Sequence, residues 1–163
     1  MASSEPTLVF PLLLWWRLIR ELRRRGGSRT ESGAFILGRW DESAMHARSL
    51  VFYDDIDPGA LKTGIVRLSG RAMNEVWETC SRTGLQVLAD VHTHPAGSGQ
   101  SSSDRDYPMV ATRGHIALIV PNFARSAIDL GGVGQYRYEG SKRWRVSPPP
   151  RLGFFSIRFR VSP

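Results

Sequence analysis

Two histidines and an aspartate have the types and the spacing that could support metal chemistry. His92 and His94 flank Thr93, and Asp104 lies ten residues beyond His94. The segment before them, Gln86 to Val91, is short and mostly apolar, which predicts a strand that leads into a loop. Because side chains i and i+2 of a strand point to the same side, the two imidazoles would lie side by side and could share one metal ion.

The loop after this strand is expected to supply the third ligand. Pro95 ends the strand because it has no N–H for a sheet hydrogen bond, and the small residues that follow allow Asp104 to fold back. Two histidines and one carboxylate with an open fourth position form a catalytic zinc pattern, whereas a structural zinc site is usually closed by four protein ligands. The chain contains one cysteine, Cys80, which argues against a thiolate-rich structural site.

Further residues extend this motif. Glu31 precedes an apolar segment that ends at Gly38, and Ser101 lies three residues before Asp104. A glutamate, His-x-His-Pro and Ser-x-x-Asp in this order resemble the JAMM signature of the JAB/MPN metalloproteases, and the resemblance covers about residues 12–140. One departure is the loop from Ala96 to Gln100, which at five residues is one shorter than is usual in that family.

The resemblance implies a zinc peptidase with a defined set of roles. Zinc would lower the pKa of bound water from about 15.7 to about 7 and polarise a carbonyl oxygen. Glu31 would act as general acid and base, and the Ser101 hydroxyl would donate to the developing oxyanion. Ser102 is the alternative to Ser101, because three consecutive serines blur the register. The expected reaction is hydrolysis of an amide bond without a covalent intermediate.

The same resemblance indicates a substrate class. Relatives of this size are expected to cut the amide bond at the C-terminal Gly tail of a ubiquitin-like protein, in deconjugation or in precursor processing. Activating and conjugating enzymes of the same system, including one used in antiphage defence, are the expected partners. The alternatives are a non-catalytic MPN-like scaffold and, on charge alone, a nucleic-acid-associated protein.

Other titratable residues have weaker claims to a site. Asp90 shares the predicted face of the two histidines, so it is either a partner for a histidine N–H or a structural residue. His115 is interpreted as a strand residue, and His46 lies in a polar connection. Glu42 and Glu75 are less suitable than Glu31 because neither precedes an apolar strand.

Cys80 is predicted to be a buried, unreactive thiol, since Met73, Val76, Trp77 and Cys80 recur at helical spacing.

The pattern of apolar residues predicts a mixed α/β fold with helices flanking a curved sheet. We expect one domain over residues 1–163, with a core over about 12–140 and C-terminal strands to 161. The predicted helices are 12–25 and 70–83. The predicted strands are 34–40, 48–53, part of 56–68, 86–92, 115–120, 134–138, 143–146 and 154–161. Helix 12–25 is expected to place its Leu and Trp residues on the sheet and to end at Gly26-Gly27.

The amino-acid composition indicates the broad class of protein to which this chain belongs. The 163 residues are 41% hydrophobic and 23% charged, with a net charge of +7, which fits a globular domain. The positive charge comes from 20 Arg and 2 Lys. Aromatic residues are not interleaved with these charges and no nucleic-acid-binding motif is visible. We therefore expect the basic residues to form solvated surface, and we expect no nucleic-acid partner. The apolar N-terminal segment is too short to span a membrane and lacks the order of a signal peptide. A cytoplasmic protein without a membrane partner is therefore expected.

Overall fold

A computed structural model describes residues 6–63, 68–126 and 130–153. Eight strands form one sheet, and four α-helices accompany it within these ranges. The strands are β1 (Thr7–Pro11), β2 (Gly33–Trp40), β3 (Ala44–Phe52), β4 (Gln86–Thr93), β5 (Ile116–Val120), β6 (Gly134–Gly140), β7 (Arg143–Ser147) and β8 (Arg151–Gly153). The helices are α1 (Leu12–Gly26), α2 (Tyr53–Ile56), α3 (Gly70–Thr83) and α4 (Ser102–Asp106). The predicted mixed α/β class is confirmed.

The sheet is strongly curled. Its strand order is β7-β6-β5-β4-β2-β3-β1-β8, so the last two strands occupy opposite edges. In a flat sheet of eight strands these edges would be about 33 Å apart. Only Pro148, Pro149 and Pro150 separate Ser147 from Arg151, and four residue steps reach at most about 14 Å. The edges must therefore approach each other, which confirms the predicted curvature.

Successive side chains of the central strands point to opposite faces of the sheet, and each face carries its own hydrophobic core. In β2, Ala34 and Ile36 belong to the larger core, and Phe35 belongs to the smaller one on the other face. In β4, Ala89 and Val91 belong to the larger core. Because Phe35 pairs with Asp90, the side chains of Asp90 and His92 point to the face of the smaller core. The candidate ligands thus lie on the face opposite the larger core.

Helix α1 packs on the larger core. Its buried apolar residues are Trp15, Leu18 and Leu22, and the helix ends at Gly27, whose φ of 56° suits a residue without a Cβ. The prediction that the Leu and Trp residues pack on the sheet is correct for these three. It is wrong at the start of the helix, where three side chains remain largely exposed: Leu12 (54%), Leu13 (80%) and Trp16 (59%).

Helix α3 covers the smaller core. Ser69 caps its N-terminus, because the Ser69 Oγ accepts a hydrogen bond from the Ala72 N–H at 3.2 Å. Of the predicted buried stripe, Val76 is buried and Met73 and Cys80 pack against the core, but Trp77 is 44% exposed, so the prediction is wrong for Trp77. Burial raises the pKa of the Cys80 thiol, which disfavours a thiolate nucleophile there.

Several element boundaries differ from the predictions. Strand β3 begins four residues earlier than predicted, and Tyr53 starts α2 instead of ending the strand. The described part of 56–68 contains the end of α2 and turns but no strand. Strand β1 and helix α4 were not predicted, and the predicted strand 154–161 lies outside the described residues. The predictions for 70–83, 86–92 and 143–146 are correct to within one residue. No helix of the described ranges combines the length and the apolar character needed to cross a bilayer.

A close backbone approach at Gly33 offers a test of this fold. A Cβ placed on Gly33 would overlap the Tyr53 ring and the Val91 carbonyl oxygen. We expect Gly33→Ala to lower the free energy of unfolding by about 1–3 kcal/mol, because such overpacking forces neighbours to move. Urea denaturation measures this change. Gly70→Ala is the control, since nothing lies within 4 Å of a Cβ there; equal losses in the two variants would contradict the tight approach of β2 and β4.

Candidate metal centre

The end of β4 brings the two histidines together as predicted. The Nε2 atoms of His92 and His94 are 3.0 Å apart, and their side chains are only 9% and 12% exposed. The backbone of His94 is held on both sides, because its N–H donates to the Val120 carbonyl and its carbonyl accepts from the Phe123 N–H. Both rings therefore present the same nitrogen to one point from a fixed backbone.

Helix α4 delivers the carboxylate. Asp104 occupies the third position of this short helix, where its Oδ2 accepts from the Ser101 N–H at 2.6 Å and its N–H donates to the Ser101 Oγ. This reciprocal arrangement is a capping box. It orients the carboxylate so that Oδ1 lies 3.2 Å from the His92 Nε2 and Oδ2 lies 3.2 Å from the His94 Nε2.

The geometry of these three residues fits a metal ion. One donor atom of each of His92, His94 and Asp104 lies within 4.8 Å of the others. Zinc binds histidine nitrogen at about 2.0–2.1 Å and carboxylate oxygen at about 2.0–2.2 Å. In a tetrahedron of that size, neighbouring donors are about 3.4 Å apart. The two Nε2 atoms are 3.0 Å apart, and each lies 3.2 Å from an Asp104 oxygen, Oδ1 for His92 and Oδ2 for His94. The cluster can hold a metal ion with a fourth position left for another ligand.

The charges of the cluster also favour a cation. Burial alone would raise the pKa of the Asp104 carboxyl, but hydrogen bonds with His92 and His94 outweigh it and hold that pKa well below its usual range. Burial alone would lower the pKa of His92, but the hydrogen bond with Asp104 outweighs it and raises that pKa. Asp104 is therefore ionised, and its negative charge stabilises a cation between the three side chains, either a proton on His92 or a metal ion.

Glu31 lies beside the cluster, held by its neighbours in the chain. The N–H of Ser32 donates to the Thr93 Oγ1, the Thr93 N–H donates to the Ser32 carbonyl, and the Ser32 Oγ donates to the Leu22 carbonyl. These bonds fix the segment before β2 against the strand that carries the histidines. The Glu31 Oε1 lies 4.0 Å from the His94 Nε2, with the Glu31 side chain 18% exposed.

The structure places Ser101, rather than Ser102, in contact with Asp104. The Ser101 Oγ uses a lone pair to accept from the Asp104 N–H at 3.2 Å, so its own hydrogen stays available for donation. Ser101 is not among the residues that line the adjoining cavity, whereas Ser103 and Gln100 are. The capping contact joins Ser101 to Asp104, and the choice between Ser101 and Ser102 as oxyanion donor stays a prediction.

A cavity of about 550 Å³ adjoins the cluster. Glu31, His92 and Asp104 line it on the side of the metal ligands. Most of its remaining wall is apolar and comes from three parts of the chain. These are the first turn of α3 with the residues just before it, the segment after α4, and strand β7: Leu68, Met73, Tyr107, Pro108, Met109 and Trp144. A site with three convergent ligands, a nearby carboxylate and an apolar cavity has the usual construction of a ligand pocket.

Sequence reasoning missed one buried pair beneath this cavity. The His115 Nε2 lies 2.6 Å from the Asp90 Oδ1, with both side chains almost fully buried. Asp90 thus pairs with His115 rather than with a histidine of the cluster. The contact depends on the register of β4 and β5, which pairs Asp90 with Ala117, and no sequence spacing shows it. His46 lies apart and pairs with Asp41.

Comparison with known proteins supports the fold and shows a partial similarity to a probable metalloprotease. No family model matches the sequence, so the JAB/MPN resemblance stays a prediction. A protein of Sinorhizobium fredii called a probable metalloprotease is 37% identical over 67 residues, which are 41% of this chain and 41% of that protein.

Two solution structures resemble the fold over most of the chain. A protein of Desulfitobacterium hafniense superimposes with a TM-score of 0.62 at 10% identity, over 91% of this chain and 92% of that one. A protein of Salinibacter ruber does so with a TM-score of 0.58 at 13% identity, over 87% and 90%. At such identities the likeness concerns the fold alone. The chain is therefore a mixed α/β protein with a His/His/Asp cluster able to hold a metal ion.

Proposed function

We propose that this protein is a zinc metallopeptidase that hydrolyses an amide bond. The observation that carries the proposal is the convergence of His92, His94 and Asp104 around one point, with Glu31 at its edge and a cavity beside it. The partial similarity to a probable metalloprotease supports a peptidase over other metal-dependent hydrolases. Two histidines and one carboxylate form the ligand set of many zinc peptidases.

Each residue of the site would have its own role in the hydrolysis. A bound zinc ion would supply Lewis acidity, which lowers the pKa of water and polarises the scissile carbonyl. Glu31, within reach of the metal ligands, would take a proton from the attacking water and deliver it to the leaving amine. Ser101 would donate its free hydroxyl hydrogen to the oxyanion. Asp104 and the histidines would be held in place by the capping box and the strand, which limits reorganisation during the reaction.

The substrate that we propose is the C-terminal Gly tail of a ubiquitin-like protein. The proposal comes from the resemblance to JAMM peptidases, and it fits a site reached through a cavity flanked by helix and loop. Only glycine allows an extended backbone to approach a metal closely. The activating and conjugating enzymes of the same system, such as an antiphage pathway, would be the functional partners.

Cleavage of tailed fusions tests this function. Ubiquitin-like proteins ending in Gly-Gly, each followed by a short peptide, would be incubated with the zinc-loaded protein, and the products identified by mass spectrometry. We expect cleavage after the second Gly, loss of cleavage with a chelator, and slower cleavage when Ala-Ala replaces Gly-Gly. Zinc binding without cleavage of any fusion would instead favour the non-catalytic scaffold.

Replacement of Ser101 separates its structural role from its proposed catalytic role. Ser101→Ala should cost about 0.5–2 kcal/mol of stability through loss of the cap and lower kcat about 100- to 1000-fold through loss of an oxyanion donor. Ser69→Ala is the matched control, because the Ser69 Oγ also accepts from the third backbone N–H of its helix and Ser69 is neither in the cluster nor among the residues that line the cavity. Urea denaturation and peptide kinetics measure both effects. If the two variants keep the same kcat, Ser101 is only a cap.

A further inference from the structure

We propose that the cavity beside the metal cluster binds the side chain of a lysine or arginine that directly follows the cleaved amide bond, with Asp90 as its counter-charge. This inference rests on the proposed peptidase function and names the residue on the leaving side of the substrate. It makes the protein a processing enzyme for Gly tails extended by a basic residue.

The charge of the cavity lining favours a cation. Three carboxylates, Glu31, Asp90 and Asp104, line the cavity, and among the described residues 6–63, 68–126 and 130–153 no Lys or Arg does. Asp104 would be neutralised by the metal and Glu31 serves the proton transfer. Asp90 is the carboxylate that neither role uses.

Asp90 lies at the floor of this cavity with capacity for another donor. It is 2% exposed, and its Oδ1 is 2.6 Å from the His115 Nε2. The buried Tyr53 hydroxyl also interacts with this carboxylate, since burial and then the charge of Asp90 raise the Tyr53 pKa. A carboxylate offers about four lone-pair positions on its two oxygens, so these two neighbours do not exhaust it. A buried charge is costly unless it is paired, and a cation brought against it from the substrate is attracted more strongly than in water.

The distance from the cluster to Asp90 matches the proposed side chain. Asp90 and His92 lie two residues apart on the same face of β4, which separates them by about 6.6 Å along the strand. A substrate residue whose backbone nitrogen leaves at the metal cluster would reach Asp90 with an extended side chain of four or more atoms. Lysine and arginine have that length, and shorter polar residues do not.

The apolar wall suits the stem of such a side chain. Met73 and Met109 pack against the smaller core. They line the cavity together with Leu68, Pro108 and Trp144. Methylene groups of lysine and arginine pack well on such surfaces while the charged end finds its partner. A guanidinium can also be attracted by the face of an indole ring.

Matched substrates test the inference. Two peptides would be compared, one with Gly-Gly-Arg and one with Gly-Gly-citrulline at the cleaved bond, since citrulline has the same shape without the charge. We expect the wild-type protein to cleave the arginine peptide with a kcat/KM about 10- to 100-fold higher, as for a charged hydrogen bond. In Asp90→Asn this ratio should fall toward one. A wild-type ratio near one would overturn the inference while leaving the peptidase function intact.

A binding measurement decides the question even if no peptide is cleaved. Arginine amide and citrulline amide would be titrated into the zinc-loaded protein and followed by NMR, with resonances of the cavity wall as the readout. We expect binding of the arginine amide alone, with its loss in Asp90→Asn. Should that variant fail to fold, Met109→Lys places a competing cation in the wall and should also abolish binding. Equal binding of both amides would contradict the role of Asp90.

Discussion

We expect Glu31→Gln to lower kcat about 100- to 10,000-fold, the usual contribution of a general acid or base, while zinc binding is retained. Glutamine keeps the shape of the side chain and one acceptor oxygen but cannot take up a proton at neutral pH. Because Glu31 lies 4.0 Å from the His94 Nε2 and is not one of the three clustered ligands, the metal should stay bound. Peptide kinetics and metal analysis of the same preparation measure both quantities.

Glu42→Gln is the control for this experiment. Glu42 is exposed and precedes β3 rather than β2, so its replacement should leave both kcat and zinc content unchanged. Full activity in Glu31→Gln would remove Glu31 from the mechanism. Loss of zinc in that variant would instead make Glu31 a fourth ligand, and the site would then be closed rather than open.

The second large effect is expected for Asp104→Asn. An asparagine oxygen can still accept from the Ser101 N–H, so the helix cap should largely survive, but the negative charge that faces both histidines is lost. Residues that only support metal ligands cost about 10- to 100-fold in metal affinity when they are replaced, and a direct ligand should cost more. We therefore expect zinc affinity to fall by more than about 100-fold, with peptidase activity lost in parallel.

Asp106→Asn is the matched control, because Asp106 lies on the same helix and contacts Lys142 at 3.7 Å on the surface. Zinc titration with a competing chelator measures the affinity of both variants. An Asp104→Asn protein with the zinc affinity of the wild type would show that Asp104 acts only in the cap. Similar losses in both variants would point to disruption of α4 rather than removal of a ligand.

The candidate site was largely predictable because its residues are close in the sequence. His92 and His94 are brought together by the two-residue repeat of a strand, and Asp104 follows in a short loop, so local geometry suffices. Glu31 required the family resemblance, since its place beside His94 depends on the pairing of β2 with β4. The contact between Asp90 and His115 depends on strand register over 25 residues, which spacing alone does not reveal.

The fold was predictable in its elements and less so in their arrangement. Helix α3 has a serine cap, an apolar stripe and a terminal glycine, and its predicted bounds match. The parallel pairing of β1 with β3 and β8 at one edge carries no local signal, so β1 was missed. The cavity wall was missed for the same reason, because Met73, Met109 and Trp144 meet only in the folded chain.

The zinc content of the purified protein tests the central claim most directly, measured on the wild type and on His94→Ala in parallel. The geometry of the cluster predicts close to one zinc ion per chain in the wild type and loss of that ion in the variant. No bound metal in the folded wild type, even after incubation with zinc, would contradict the metal centre and with it the proposed peptidase.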